Sequence, residues 1–171
     1  MKKIILAVVL ILFISNISIA FENKQKNAQI NTTNLFPLSQ IEKILGEPAY
    51  LKDSSTKVNS VAIIYTCAYS ANSKDEKSGK TGVIYLLAEN YFTDSSAHKY
   101  YIDTYNANKK NGVEVLQKMG DEAYFHTDKE NFYFVMARKG YKIIVIKVNK
   151  ITSKTSLDEF NLFAKNLVEK L

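Results

Sequence analysis

The 171-residue chain has one cysteine, no tryptophan and a single arginine. One cysteine, Cys67, excludes an internal disulfide, so the stability of the fold must come from its apolar core. Proteins that bind nucleic acid commonly use arginine forks and clustered basic stripes, whereas here the only arginine is Arg138 and the lysines are scattered. With a net charge of +6 spread in this way, the sequence does not favour a nucleic-acid partner.

Motifs of nucleotide and metal chemistry are also missing. Gly79 and Gly82 lie in a hairpin and precede no helix, so they do not form a phosphate-cradling loop. His98 and His126 are 28 positions apart and show none of the spacings typical of zinc sites. We therefore expect no cofactor and no metal ion, and we assign no catalytic residue.

The longest apolar run, residues 4–14, lies at the N-terminus behind Lys2 and Lys3 and ahead of the small-x-small sequence Ser18-Ile19-Ala20. It is shorter than the roughly 18 residues that a membrane-spanning helix needs, so residues 1–20 are predicted to be a cleaved signal peptide and not an anchor. No cysteine follows at a lipidation position. We expect an exported bacterial protein, periplasmic or secreted, with no membrane anchor after cleavage.

Residues 21–37 are polar and without periodicity, which predicts a flexible N-terminal arm, and residues 38–171 are predicted to form one domain. Two capping boxes, Ser39 with Glu42 and Ser156 with Glu159, mark an early helix and a terminal amphipathic helix. A further helix is predicted after Asp94, with Ala97, Tyr101 and Tyr105 on its inward face. Alternating patterns predict strands at 61–70, 82–91, 113–119, 132–138 and 141–148, and a short pairing segment at 123–126.

This order of elements predicts an α+β fold. Runs of hairpins cannot supply parallel crossovers, so we expect a single antiparallel β-sheet of about five to six strands. The helices are expected to pack on one face of the sheet, which leaves the other face partly open.

Two heptapeptides echo each other: LGEPAYL at 45–51 and MGDEAYF at 119–125. Each precedes strands and a capped helix, so the domain contains either two strand–strand–helix pseudo-repeats or two common units that are alike by coincidence. Together with Cys67 and Tyr69, these segments resemble a loose group of exported bacterial proteins and lipoproteins of uncharacterised activity that share a GDEAYF-type strand motif. The resemblance implies no catalytic residue.

Cys67 is the one candidate nucleophile, with His98 or His126 as a base, but a mid-strand cysteine between Tyr65 and Tyr69 is typical of a buried structural thiol. His126 and three nearby carboxylates make the densest polar group, which we interpret as a solvated turn. Those carboxylates are Asp121, Glu122 and Asp128.

Eleven tyrosines are the compositional excess that could serve recognition. Tyr100, Tyr133 and Tyr141 are the candidate binding residues, and the alternative is that tyrosine fills the margins of a core without tryptophan. We therefore expect a non-enzymatic binding module for a protein, a glycan or a small ligand. Two alternatives stay open, a small hydrolase or thiol enzyme that uses Cys67 or His126 and an envelope assembly or structural protein, and the oligomeric state is not indicated.

Overall fold

The computed structural model describes residues 35–171, so the predicted signal peptide and residues 21–34 of the predicted arm lie outside the described residues. The helices are α1 (Leu38–Leu45), α2 (Asp94–Asn108) and α3 (Leu157–Glu169), with a 3-10 turn at Lys109–Asn111 after α2. The strands are β1 (Ala49–Val58), β2 (Ala62–Ala71), β3 (Val83–Tyr91), β4 (Glu114–Val115), β5 (Glu122–Thr127), β6 (Phe132–Lys139) and β7 (Lys142–Asn149). In this part of the chain, no helix has the length and apolar character that crossing a membrane requires.

The seven strands form one sheet in the order β1-β2-β3-β7-β6-β5-β4, with every neighbouring pair antiparallel. The predicted α+β class with a single antiparallel sheet is confirmed, and the sheet has more strands than the five to six expected. The strand that the sequence patterns did not indicate is β1, because only its first residue, Ala49, is buried. A strand with both faces exposed carries no apolar alternation to detect.

The helices lie on both faces of the sheet, which differs from the expected arrangement on one face. α1 and α3 pack on the face that includes Cys67, Ile84 and Ile146, here called the two-helix face. α2 packs on the opposite face, the one-helix face, against Tyr124 and Ile143. The central strands are apolar on both faces, so the alternation in each strand does not determine which face a helix covers.

The larger core lies on the two-helix face and the smaller one under α2. The smaller core includes Ala97 and Tyr101, as the predicted inward face of this helix requires, with Tyr105 packed at its margin. The fully buried side chains that dominate the larger core are Ile41, Ile44, Leu45, Ile84, Leu86, Ile144, Ile146, Val148, Phe160 and Ala164. The domain therefore consists of one sheet between two unequal helical layers.

Neither predicted capping box forms completely: the one at α3 keeps only its serine half, because the Ser156 amide donates to the Ile44 carbonyl at 2.9 Å. At α3 the Ser156 side chain accepts a hydrogen bond from the Glu159 amide at 3.2 Å. At α1 the N-cap residue is Pro37, which has no capping side chain, and Glu42 Oε1 instead accepts from the Ala49 amide at 3.2 Å. The helix α1 was predicted correctly, but Ser39 was wrong as its N-cap because the helix begins one residue before it.

The last residues of the predicted arm pack on the core. Phe36 is buried and its ring stacks on Tyr65, with the centroids 6.1 Å apart. The Tyr69 hydroxyl donates to the Phe36 carbonyl at 3.1 Å. The chain therefore enters the domain over β2, on the two-helix face.

The two echoed heptapeptides share a glycine in the left-handed conformation. Gly46 and Gly120 both have positive φ values, 72° and 66°, and both lie against a backbone carbonyl of a distant segment. A Cβ on Gly46 would lie 2.2 Å from the Lys154 oxygen, and one on Gly120 would lie 2.4 Å from the Arg138 oxygen. Each heptapeptide leads into three strands and a helix, but the helices α2 and α3 lie on opposite faces, so the likeness ends with the strands.

We expect Gly46→Ala to lower the free energy of unfolding by about 3 kcal/mol. Roughly 1 kcal/mol comes from the left-handed backbone and the remainder from the steric conflict with the Lys154 carbonyl. Gly112→Ala is the matched control, because Gly112 also has a positive φ, 79°, but nothing lies within 4 Å of its Cβ position. Urea unfolding measures both variants, and equal losses would show that the conflict with Lys154 is relieved at no cost.

Candidate functional site

α2 covers only one end of the one-helix face, and the uncovered end forms a groove of about 290 Å³. We call it the sheet groove. Its lining residues on this face are Asp53, Thr66, Ala68, Tyr85, Leu87, Phe134, Val145 and Lys147.

The depth of the groove follows from the side-chain sizes on β2 and β3. Thr66 and Ala68 of β2 are small, and they pair directly with Leu87 and Tyr85 of β3. These small side chains of β2 thus form a depression beside the larger side chains of β3. Burying an apolar group there would remove apolar surface from water on both partners.

Two charged residues lie in one transverse row of the groove. Asp53 pairs with Ala68, Ala68 with Tyr85, and Tyr85 with Lys147, so the backbones of Asp53 and Lys147 lie three strand spacings apart. At the usual strand spacing that separation is about 14 Å between backbones. Lys147 Nζ lies 5.3 Å from the centre of the Phe132 ring. The site is an apolar floor with one cation and one anion on either side.

Between the groove and α2 lies a buried carboxyl group, Glu89. It is 4% exposed, and the Tyr91 hydroxyl donates to its Oε2 at 3.3 Å. Burial raises the pKa of Glu89 to about 7, and the hydrogen bond from Tyr91 offsets only part of that rise. This carboxyl group therefore changes its charge near neutral pH.

A second cleft, of about 330 Å³, lies between α2 and the segment that leads into β5. Two of its carboxylates, Asp121 and Glu122, belong to a network around the buried Arg138. Arg138 donates to Glu122 at 2.5 Å, to Asp94 at 2.7 Å and to the Gly140 carbonyl at 2.8 Å. Because these bonds join the start of α2 to β5 and β6, the network is structural.

The three candidate tyrosines are not brought together into one site. Tyr100 stacks on Tyr91 with the ring centres 5.8 Å apart, and the Tyr91 amide donates to the Tyr141 carbonyl at 2.9 Å, so Tyr100 and Tyr141 both lie around Tyr91. Tyr133 lies on the two-helix face, where its ring centre is 5.8 Å from that of Phe160. Tyr100 and Tyr141 are exposed, whereas Tyr133 is core packing.

The candidate nucleophile, Cys67, belongs to the larger core, and burial raises the pKa of its thiol to about 11. His126 packs edge-on against Phe132, and His98 Nδ1 lies 3.0 Å from Glu122 Oε2. Asp128 accepts hydrogen bonds from three backbone amides of its own turn, as expected for a structural turn. Within residues 35–171, no three His, Cys, Asp or Glu side chains come together to hold a metal ion.

The sequence patterns did not point to the residues of the sheet groove. The signal was present in β3 and β7, where Leu87 and Val145 make the second face apolar beside the buried first face. Strands that are apolar on both faces indicate covering layers on both, and a small-residue neighbour such as β2 indicates where that cover is incomplete.

No protein-family model matches the chain, and neither curated proteins nor solved structures include a significant match.

Proposed function

We propose that this chain is a non-enzymatic binding module of the cell envelope or the extracellular space, and that it holds an apolar group of its ligand in the sheet groove. The observation that carries the proposal is the groove itself, an apolar depression on the sheet that α2 leaves uncovered. Export is supported by the pattern of residues 1–20.

The surface of the groove fits this role. Tyr85 is 45% exposed, although it lies in a central region of the sheet, and its neighbour Leu87 is half-buried. Ligand sites are typically concave and mostly apolar, with few polar groups that fix the orientation of the ligand. Here those groups are Lys147 and Asp53, which favour a ligand with an apolar body and a hydrogen-bond acceptor or anionic group near Lys147.

The test uses 1-anilinonaphthalene-8-sulfonate, which combines aromatic rings with one anionic group. We expect the protein to bind the dye and Tyr85→Ala to weaken binding about tenfold, because the loss of one aromatic wall removes on the order of 60 Å² of apolar contact. Fluorescence titration measures the affinity, and methyl chemical shifts of Leu87 and Val145 locate the dye.

The matched control is Tyr50→Ala. Tyr50 is 50% exposed and lies on β1, outside the groove, so its loss should leave the affinity for the dye unchanged. No binding by the folded wild-type protein, or equal losses in the two variants, would contradict the proposal.

A further inference from the structure

The two edges of the sheet are unequal. One edge is β4, which has two residues, and the other is β1, which has ten residues, nine of them exposed. Within residues 35–171, no strand pairs with the outer side of β1. An edge strand of this length presents a row of backbone donors and acceptors to which another strand can pair.

The alternation of the ladder shows which groups of β1 point outward. At the β1–β2 turn, the Asn59 amide donates to the Ala62 carbonyl at 3.0 Å, so this is a hydrogen-bonded pair. Bonded and non-bonded pairs alternate in an antiparallel ladder, so Lys57, Ser55 and Asp53 bond to β2. The amides and carbonyls of Ser54, Thr56 and Val58 therefore point away from the sheet.

Two copies of β1 can pair around a two-fold axis only where these outward groups meet each other. Near the middle of the strand the axis must then pass through Ser54, Ser55 or Thr56. With the axis at Ser55, the residues on the one-helix face bring Asp53 opposite Lys57 of the second copy, and Lys57 opposite Asp53. The axis at Ser54 places Asp53 opposite Ser55, and the axis at Thr56 places Asp53 opposite Asn59, so neither pairs the charges.

We propose that β1 is a self-association edge, at which a second copy of this chain pairs antiparallel with the axis at Ser55. The sequence DSSTK at 53–57 is self-complementary in this register, since oppositely charged residues stabilise a pair when they lie directly opposite each other. A lysine on an edge strand ordinarily discourages pairing with another strand. Here Lys57 disfavours only the registers in which it does not face Asp53 of the second copy. The two sheet grooves then open on the same side of one continuous sheet.

The inference is independent of the proposed function, and its first test is the mass of the particle. The protein is expressed from its full coding sequence and purified. We expect its sedimentation velocity to correspond to a dimer. Asp53→Lys and Lys57→Asp should each weaken the dimer at least about tenfold, because each places like charges opposite each other twice. An equimolar mixture of the two variants should restore dimers, since every opposed pair in the mixed dimer is again of opposite charge.

The second test reads the register. Ser55→Cys places two thiols at a non-hydrogen-bonded pair on the axis, where Cα atoms are about 4.5 Å apart, and it should give a disulfide-linked dimer under mild oxidation. Ser54→Cys is the control, because residue 54 then lies opposite residue 56 and its thiols do not meet. Cys67 is buried and does not compete.

Three results would overturn the inference. The first is a monomer at all concentrations with a folded circular dichroism spectrum. The second is a dimer that is unaffected by the charge variants and not crosslinked through Ser55→Cys, which would place the contact elsewhere. The third is a monomer whose Ser54 and Thr56 amides are protected from hydrogen exchange, which would show that the chain's own residues 21–34 occupy the edge.

Discussion

Arg138→Met is expected to lower the free energy of unfolding by about 3 to 5 kcal/mol, the cost of breaking a buried ion pair by removing one partner. The side chain of Arg138 is 9% exposed and that of Glu122 is 22% exposed, so the substitution leaves a poorly solvated carboxylate without its cation. It also removes the bond to Asp94 at the start of α2. Urea unfolding should show the loss, and amide exchange should show it concentrated in α2.

The matched control for Arg138→Met is Lys99→Met. Lys99 pairs with Asp103 at 2.7 Å on the surface of α2, where both side chains are well exposed. Exposed pairs of this kind contribute about 0.3 to 0.5 kcal/mol, so the control should be close to wild type. A loss below about 1 kcal/mol for Arg138→Met would show that the network does not hold α2 to the sheet.

Glu89→Gln is expected to remove most of the pH dependence of stability between pH 5 and 8. The pKa of Glu89 is raised to about 7 from an ordinary value of 4.5, so the folded chain holds the proton more tightly than the unfolded chain. The resulting stabilisation is fully present below about pH 4.5 and is lost as the pH rises through 7. The wild-type protein should therefore lose roughly 2 to 3 kcal/mol across this interval.

The comparison is made by urea unfolding at several pH values, with Glu114→Gln as the control because Glu114 is an exposed glutamate. The control should keep the wild-type slope, and Glu89→Gln should be more stable than wild type at pH 8. A wild-type stability that is flat from pH 5 to 8 would show that Glu89 is solvated in the folded protein.

How far the sequence predicts the fold depends on how each element is stabilised. Two features were predictable because they depend on residues close together in the sequence. The N-cap of α3 depends on the Ser156 side chain, and the inward face of α2 depends on the helical spacing of Ala97 and Tyr101. β1 depends on its pairing with β2, so no local pattern marks it. The strand predicted at 113–119 shortens to Glu114–Val115 for the same reason, since only these two residues pair with β5.

The sheet groove lies beyond local prediction because it depends on the position of α2. Its residues come from β1, β2, β3, β6 and β7, and the groove exists only because α2 packs over Tyr124 and Ile143 and stops short of Tyr85. The tyrosine excess pointed to Tyr133. Side chains alternate between the two faces along β6, and this alternation places the Tyr133 ring under α3 with Phe160. The alternation along a strand shows whether two side chains share a face. Which face stays open is decided by tertiary packing, which the alternation does not contain.

The inequality of the two sheet edges has a consequence for stoichiometry. A strand-pairing protein with two long free edges can add copies at both ends and grow without limit, as fibrils do. Within residues 35–171 the other edge is a two-residue strand, so each copy offers one long free edge for pairing. In the proposed dimer that edge is occupied on both copies, so association would stop at two copies.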